Sequence, residues 1–149
     1  MKTIFDTSTY QEVTTRLNTL KAENKAEWGI MNAPQMLAHC VEGLKIANGE
    51  VKRKRIFIGY ILGPIFKPAF IGEKPIQKNS PTDPTFIIKD ERNFELEREK
   101  LSANLKRFHD GGEKAASTHP HFFFGKFTQK EWGILVYKHI DHHLRQFGV

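Results

Sequence analysis

The sequence predicts an all-α protein, a four-helix bundle with a long crossover between its second and third helices. Two observations lead to this prediction. Apolar residues recur at helical spacing in four stretches, and residues 50–90, which hold five of the seven prolines, separate the second stretch from the third. The chain of 149 residues has the length of one domain with a sizeable core. We therefore expect residues 1–149 to form a single helical-bundle domain.

Boundary signals define the first two helices. Asp6 is placed to cap a first helix that runs to about Lys25. Asn32 is the expected cap of the second helix, and Gln35 stands at the capping-box position three residues later. The second helix should end at Asn48-Gly49, because a glycine commonly follows a helix C-terminus.

The crossover over residues 50–90 shows the least regular pattern. An apolar piece from Ile56 to Ile71 is predicted to be a short helix or an irregular segment, and Gly72 to Pro84 should be a loop. Long segments without structure are uncommon in compact domains unless they have a function. We expect this crossover to cover one mouth of the core.

Two further helices complete the predicted bundle. The third runs from about Glu91 to His109 and ends at Gly111-Gly112. The fourth begins at Thr128, a good N-cap, with Glu131 completing a capping box. It continues through the C-terminal residues and carries three of the seven histidines.

Composition limits the classes of function. The net charge of +6 raises nucleic acid as a partner, but the basic residues are scattered and no zinc-finger or stacking motif accompanies them, so nucleic-acid binding is not expected. The N-terminus has no apolar leader segment, and the single cysteine, Cys40, excludes an intrachain disulfide. We expect a cytoplasmic protein.

The C-terminal histidines predict a metal site. His139 and His143 are four residues apart, so they lie about 40° apart around the helix and about 6 Å apart along it. Two imidazoles on one face can bind one metal ion. His39 is the candidate third ligand, because it is the only other histidine inside a predicted helix with apolar flanks. Zinc, nickel, iron and manganese all accept three imidazoles plus water.

Other residues are expected around these ligands. His142 is offset by about 60° from His139 on the other side, so it should line the site rather than bind the metal. Gln35 and Glu42 flank His39 at i−4 and i+3, so they are also expected to line the site. The remaining histidines are expected to have structural roles; they are His109, His119 and His121.

Three stretches resemble a known superfamily. The segment Trp28-Gly29-Ile30-Met31-Asn32-Ala33-Pro34-Gln35-Met36-Leu37-Ala38-His39-Cys40 is similar to the second-helix signature of the DinB-like (YfiT-type) superfamily. The segments 119–128 and 131–148 resemble one uncharacterised branch of it. The resemblance implies a four-helix bundle, often dimeric, with a divalent metal held by His39, His139 and His143. It also implies a small-molecule substrate, since relatives include transferases and isomerases that use low-molecular-weight thiols, and some hydrolases.

Three functions therefore remain open. The first is a metal-dependent transferase or hydrolase. The second is a bundle that binds a metal or a small ligand without turnover. The third is a peripheral membrane or partner-binding protein that uses the basic and apolar segment 52–66. For that segment we favour packing over the core, so binding to a membrane is not expected.

Overall fold

The computed structural model describes residues 1–80 and 82–149, and its regular elements are helices. Short 3-10 turns lie at Pro84–Phe86 and Gly112–Ala115, and an isolated antiparallel bridge joins His121 to Gly125. The all-α class predicted from the sequence is confirmed for the described residues. In this part of the chain the α-helices are α1 (Thr7–Thr19), α2 (Ala33–Ala47), α3 (Phe57–Ile71), α4 (Phe94–Gly111) and α5 (Gln129–Gln146).

The first helix is shorter than predicted, because it ends at Thr19 rather than near Lys25. The next residue, Leu20, has an extended backbone with φ −65° and ψ 137°. The Asn24 side chain then accepts a hydrogen bond from the Lys21 backbone N–H at 2.7 Å. This local turn satisfies backbone groups that a longer helix would have used.

Capping boxes start the two helices that carry the candidate ligands. At α2, the Asn32 side chain accepts from the Gln35 N–H, and the Gln35 side chain accepts from the Asn32 N–H. At α5, Thr128 and Glu131 make the same reciprocal pair. Both boxes were predicted, and they set where each helix begins and therefore which residues face inward.

The core lies between α1, α2, α4 and α5. Helix α2 packs against α4 and α5, and α1 packs against α5 and α4. The largest fully buried side chains come from these helices and the residues beside them: Ile4, Leu17, Leu20, Met36, Leu37, Leu44, Leu101, Leu105, Phe108, Trp132, Ile140 and Phe147.

Helix α3 occupies the crossover and packs against α5. We expected this segment to cover one mouth of the core, but only one of its sides packs against protein, while most of its large apolar side chains are exposed. The predicted loop over residues 72–84 includes Pro81, which lies outside the described residues. Among the helices that the structure describes, none has the length and apolarity needed to cross a membrane.

Candidate metal centre

Helices α2 and α5 bring His39, His139 and His143 together. The ring centroids are 4.9 Å apart for His39 and His139, 4.7 Å for His39 and His143, and 4.8 Å for His139 and His143. One nitrogen from each ring lies within 4.8 Å of the other two. The three imidazoles therefore form a nearly equilateral cluster, although 100 residues separate His39 from His139 along the chain.

A backbone carbonyl orients the His39 ring. Nδ1 of His39 lies 2.9 Å from the Phe86 carbonyl oxygen, which can only accept a hydrogen bond, so Nδ1 carries the proton. Nε2 of His39 therefore carries the lone pair, and it accepts a hydrogen bond from Nε2–H of His139 at 2.9 Å. The same lone pair is the one that a metal ion would use. Because metal-binding histidines usually donate their other ring N–H to such an outer acceptor, His39 has the arrangement of a ligand.

A side-chain amide orients the His143 ring in the same way. Gln146 Oε1 lies 2.8 Å from Nδ1 of His143. The amide of Gln146 also donates from Nε2 to the Trp28 carbonyl, which fixes which end of the amide is the oxygen. Nδ1 of His143 must then donate to Oε1, so its Nε2 lone pair is free.

Gly29 makes room for this amide. Its backbone has φ +81°, a conformation that side chains rarely adopt, and a Cβ there would lie 2.6 Å from Nε2 of Gln146. The Glu27 N–H donates to the Gln146 carbonyl at 2.8 Å and ties the same segment to the end of α5. The Trp28-Gly29 pair therefore positions Gln146, which in turn positions His143.

Burial keeps the three imidazoles neutral. It lowers the pKa of His39, although the Phe86 carbonyl acts in the opposite direction. Burial, together with the neighbouring His39, lowers the pKa of His143 to about 3. Burial also lowers the pKa of His139 well below its usual value, and the positive charge that His143 would carry adds to this shift. Neutral imidazole is the form that binds metal ions.

Solvent reaches the cluster at His139. By surface area His39 and His143 are buried, whereas His139 is partly exposed. Gly43 lies beside the His139 ring, since a Cβ at this position would be 3.1 Å from its Cε1. Sequence reasoning did not identify Gly43, whose missing side chain leaves this ring its space.

His142 lies beside the cluster, with its ring 5.2 Å from that of His143 and 5.5 Å from that of Trp28. Burial lowers its pKa. Within the described part of the chain, its buried Nδ1 has no hydrogen-bond partner. His142 therefore lies next to the three histidines and outside their group. Its role in lining the site stays a prediction.

Gln35 and Glu42 use their polar atoms elsewhere. Gln35 is partly buried, completes the α2 capping box and donates to the Asp90 carbonyl at 3.2 Å. Glu42 pairs with Lys45 at 2.7 Å, and its side chain is 39% exposed. The hydrogen bonds and ion pair of these residues are made with groups other than the three histidines. Their role in lining the site stays a prediction.

Cys40 is buried and His121 is partly buried, and neither belongs to the three-histidine cluster. Burial raises the pKa of the Cys40 thiol, so it stays protonated, and its Sγ lies 3.7 Å from Sδ of Met36. His121 packs against aromatic rings, including those of Phe124 and Trp132. Both therefore act as packing residues, which for His121 is the structural role expected from the sequence.

A surface cavity lies away from the histidines. It has a volume of about 680 Å³ and lies between α3 and the start of α5, with Arg55, Lys67 and Lys126 in its lining. Lys67 already pairs there with Glu131 at 2.9 Å. None of the three clustered histidines lines it. The three histidines are the stronger candidate site, because their ring nitrogens converge on one point, as the polar groups of a binding site do.

Comparison with known proteins assigns the chain to a family but gives it no function. Fold and site define a helical protein with a three-histidine cluster of metal-binding geometry. The chain belongs to the family described as "Protein of unknown function (DUF1569)", which matches residues 5–148. No curated protein and no solved structure matches the chain. The family match does not extend to the DinB-like superfamily, so that relationship stays a prediction.

Proposed function

We propose that His39, His139 and His143 bind one divalent metal ion, and that this centre is the functional site. The observation that supports it is the convergence of three neutral imidazoles, two of which are held by hydrogen bonds from outside the cluster. The Phe86 carbonyl holds His39, and Gln146 holds His143. Such outer hydrogen bonds orient metal ligands and raise their basicity.

The donor set fits a first-row divalent ion. Imidazole suits zinc, nickel and iron, and manganese is a fourth candidate. Metal–nitrogen bonds of about 2.0–2.1 Å require ligand nitrogens within about 4 Å of each other. The nitrogens of His39 and His139 are 2.9 Å apart, and all three lie within 4.8 Å, so small ring rotations suffice. Three protein ligands leave a position open for water or substrate.

We propose a metal-dependent enzyme, with thiol-dependent transfer or hydrolysis as the reaction class. The resemblance to DinB-like proteins and the solvent access at His139 support this class. When bound, the ion would lower the pKa of a coordinated water or thiol and supply a nucleophile near neutral pH. His39 and His143 would hold the buried side, and a small-molecule substrate would approach at His139.

We also infer that α1, α2, α4 and α5 form a four-helix bundle with α3 in the crossover, as the resemblance implies. The packing of α2 against both α4 and α5, and of α1 against both α5 and α4, supports this arrangement. It would place both ligand-bearing helices next to each other in one domain. The homodimer implied by the resemblance remains part of this proposal.

One observation favours a second candidate, a bundle that binds metal without turnover. The cavity of about 680 Å³ between α3 and the start of α5 is lined by other residues and not by the three histidines. Enzymes usually bind substrates in a concave pocket that contains the reactive groups. A structural or storage role for the ion would need no such pocket.

Metal analysis tests the site. Elemental analysis of the purified protein should find one ion per chain, and His39→Ala, His139→Ala and His143→Ala should each abolish or strongly reduce loading. His119→Ala is the matched control and should load normally, because His119 lies in the segment between α4 and α5 and outside the cluster. Loading that survives all three ligand substitutions would contradict the triad.

A second measurement separates the two candidates. Metal-free and metal-loaded protein should be compared in thiol-transfer and ester-hydrolysis assays, with His139→Ala as the metal-binding control. A rate that requires the ion and is lost in His139→Ala supports the enzyme. Stoichiometric loading with no metal-dependent rate supports the binding protein.

A further inference from the structure

Helix α3 is apolar around its whole circumference. Its 15 residues, Phe57–Ile71, include one charged residue, Lys67. Helices that are apolar on all sides are normally buried in a core or in contact with lipid, whereas a surface helix is apolar on one face. The position of α3 on the outside of the protein therefore requires an explanation.

One side of α3 is fixed against the protein. Gly59 and Gly63 are its buried residues, and they lie against the backbone of Phe123; a Cβ on Gly59 would be 2.7 Å from the Phe123 carbonyl oxygen. The Phe70 ring packs on Phe124 at 4.7 Å between centroids. These contacts leave no room for larger side chains, so α3 cannot rotate to bury its other side.

The opposite side is a continuous apolar surface. Residues at spacings of three and four share a face of a helix, so the outward positions of α3 form one patch. Patches of large exposed apolar residues mark sites of interaction. The exposed fractions are 82% for Phe57, 67% for Ile65, 58% for Tyr60, 57% for Ile61, 50% for Ile58 and 47% for Phe66.

The charge beside this patch indicates what covers it. Residues 51–72 contain five basic residues and no acidic residue. Lys52 and Lys54 are exposed. The Arg53 guanidinium lies 4.1 Å from the Phe86 ring centroid, and that of Arg55 lies 4.1 Å from the Tyr60 ring centroid, which holds both cations close to the start of α3. A partner must therefore offer both an apolar phase and negative charge.

We propose that α3 binds flat on the surface of a bilayer that contains acidic lipids. Its outward side chains enter the boundary between headgroups and acyl chains, while Lys52 and Lys54 contact the acidic headgroups. An apolar helix face next to basic residues binds anionic membranes by both effects. The contacts with Phe123 and Phe124 keep the helix parallel to the protein surface, and so parallel to the membrane.

A second copy of the chain fits this face less well. Pairing two α3 helices through their outward sides would bring two segments together that each carry five basic residues and no acidic one. Like charges in one interface repel and cost affinity. Acidic headgroups instead neutralise this charge, and lipid is the occupant that the charge pattern favours.

Sedimentation with vesicles tests the proposal on the full chain. The wild type should co-sediment with vesicles of phosphatidylcholine and phosphatidylserine, and stay in solution with phosphatidylcholine alone or at high salt. Ile61→Ser/Ile65→Ser and Lys52→Glu/Lys54→Glu should each lower partitioning by about tenfold or more. The controls are Leu96→Ser, an exposed apolar residue on α4, and Lys114→Glu/Lys130→Glu, which changes net charge equally.

Each alternative outcome is decisive. A wild type that stays in solution with the acidic vesicles overturns the proposal, as does partitioning that is unchanged in Ile61→Ser/Ile65→Ser. Light scattering provides the second measurement. A dimer that becomes monomeric in Ile61→Ser/Ile65→Ser and does not bind vesicles would assign the face to a second copy. Circular dichroism should show that all variants retain the wild-type helix content, because the changed residues are exposed.

Discussion

Gln146 accepts a hydrogen bond from Nδ1 of His143 at 2.8 Å, while the other end of its amide donates to the Trp28 carbonyl. Gln146 is almost fully buried, with 4% of its surface exposed. The orientation of a candidate metal ligand is thus set by a residue one helical turn further on and by a carbonyl that lies between α1 and α2. Sequence position alone would not connect these three residues.

The change Gln146→Leu should weaken metal binding without removing the site. The His143 ring would lose the acceptor that fixes its tautomer, and loss of such an outer partner typically costs about 10–100-fold in metal affinity. Competition with a chromophoric chelator measures this affinity. Gln11→Leu, an exposed residue on α1, is the control and should leave the affinity unchanged. Equal affinities in wild type and Gln146→Leu would contradict the role given to this amide.

Gly29→Ala should be destabilising for two reasons that can be separated. The backbone φ of +81° strains any other residue, and the new Cβ would lie 2.6 Å from Nε2 of Gln146. Gly148 has φ +73° with nothing within 4 Å of a Cβ, so Gly148→Ala carries the backbone strain alone, about 1–2 kcal/mol.

Urea denaturation of the two alanine variants measures the difference. Gly29→Ala should lose more unfolding free energy than Gly148→Ala and should also bind metal more weakly, because Gln146 must move. If the two variants lose the same unfolding free energy and both bind metal normally, then the contact between Gly29 and Gln146 contributes neither to stability nor to metal binding.

The ligand set could be proposed from the sequence because helix geometry is regular. Four-residue spacing places His139 and His143 on one face, and the apolar flanks of His39 turn it inward. The structure brings these three together. The hydrogen bond from His39 to the Phe86 carbonyl could not be predicted, because every residue has a backbone carbonyl and the sequence does not show which one faces His39. Gln146 did carry a signal, because it continues the same helical stripe three residues after His143.

The crossover shows where apolar patterning is ambiguous. The segment from Ile56 to Ile71 was expected to be helical or irregular and to pack on the core, since apolar residues usually indicate burial. The helix is present, but its outward side is exposed. A sequence pattern shows that a segment is apolar, but it does not show whether the rest of the protein or a partner buries that segment. The end of α1 was also misplaced, because the turn made by Lys21 and Asn24 depends on one side-chain hydrogen bond.

His121 should make the protein sensitive to acid. Burial lowers its pKa from near 6.5 to about 3, and its Nδ1 accepts hydrogen bonds from the N–H groups of Phe123 and Phe124. Between these two pKa values the unfolded chain binds more protons than the folded one. Stability therefore falls as the pH falls from about 6.5 towards 3, by up to about 1.4 kcal/mol per pH unit from this group.

The change His121→Phe should reduce this dependence. Urea denaturation at several values between about pH 4 and pH 7 should give a shallower fall of unfolding free energy than in the wild type. The variant should also be less stable at neutral pH, since two N–H groups lose their acceptor. The control, His119→Phe, removes a histidine from the same loop and leaves these N–H groups paired. A wild-type pH dependence in His121→Phe would exclude His121 as its source.

Lys138 should hold α3 in place against α5. Its Nζ donates to the carbonyls of Ala69, Gly72 and Lys74 at 2.9, 2.7 and 2.7 Å, and the residue is buried. Lys138→Met keeps an unbranched side chain, one heavy atom shorter, but leaves these acceptors at the end of α3 without their donor, at a cost of about 2–3 kcal/mol. Hydrogen exchange should then speed up in α3 and residues 72–74 but not in α2 or α4. Lys130→Met, an exposed change on the same helix, should leave exchange as in the wild type. Uniformly faster exchange across all helices would instead show that Lys138 supports the whole fold.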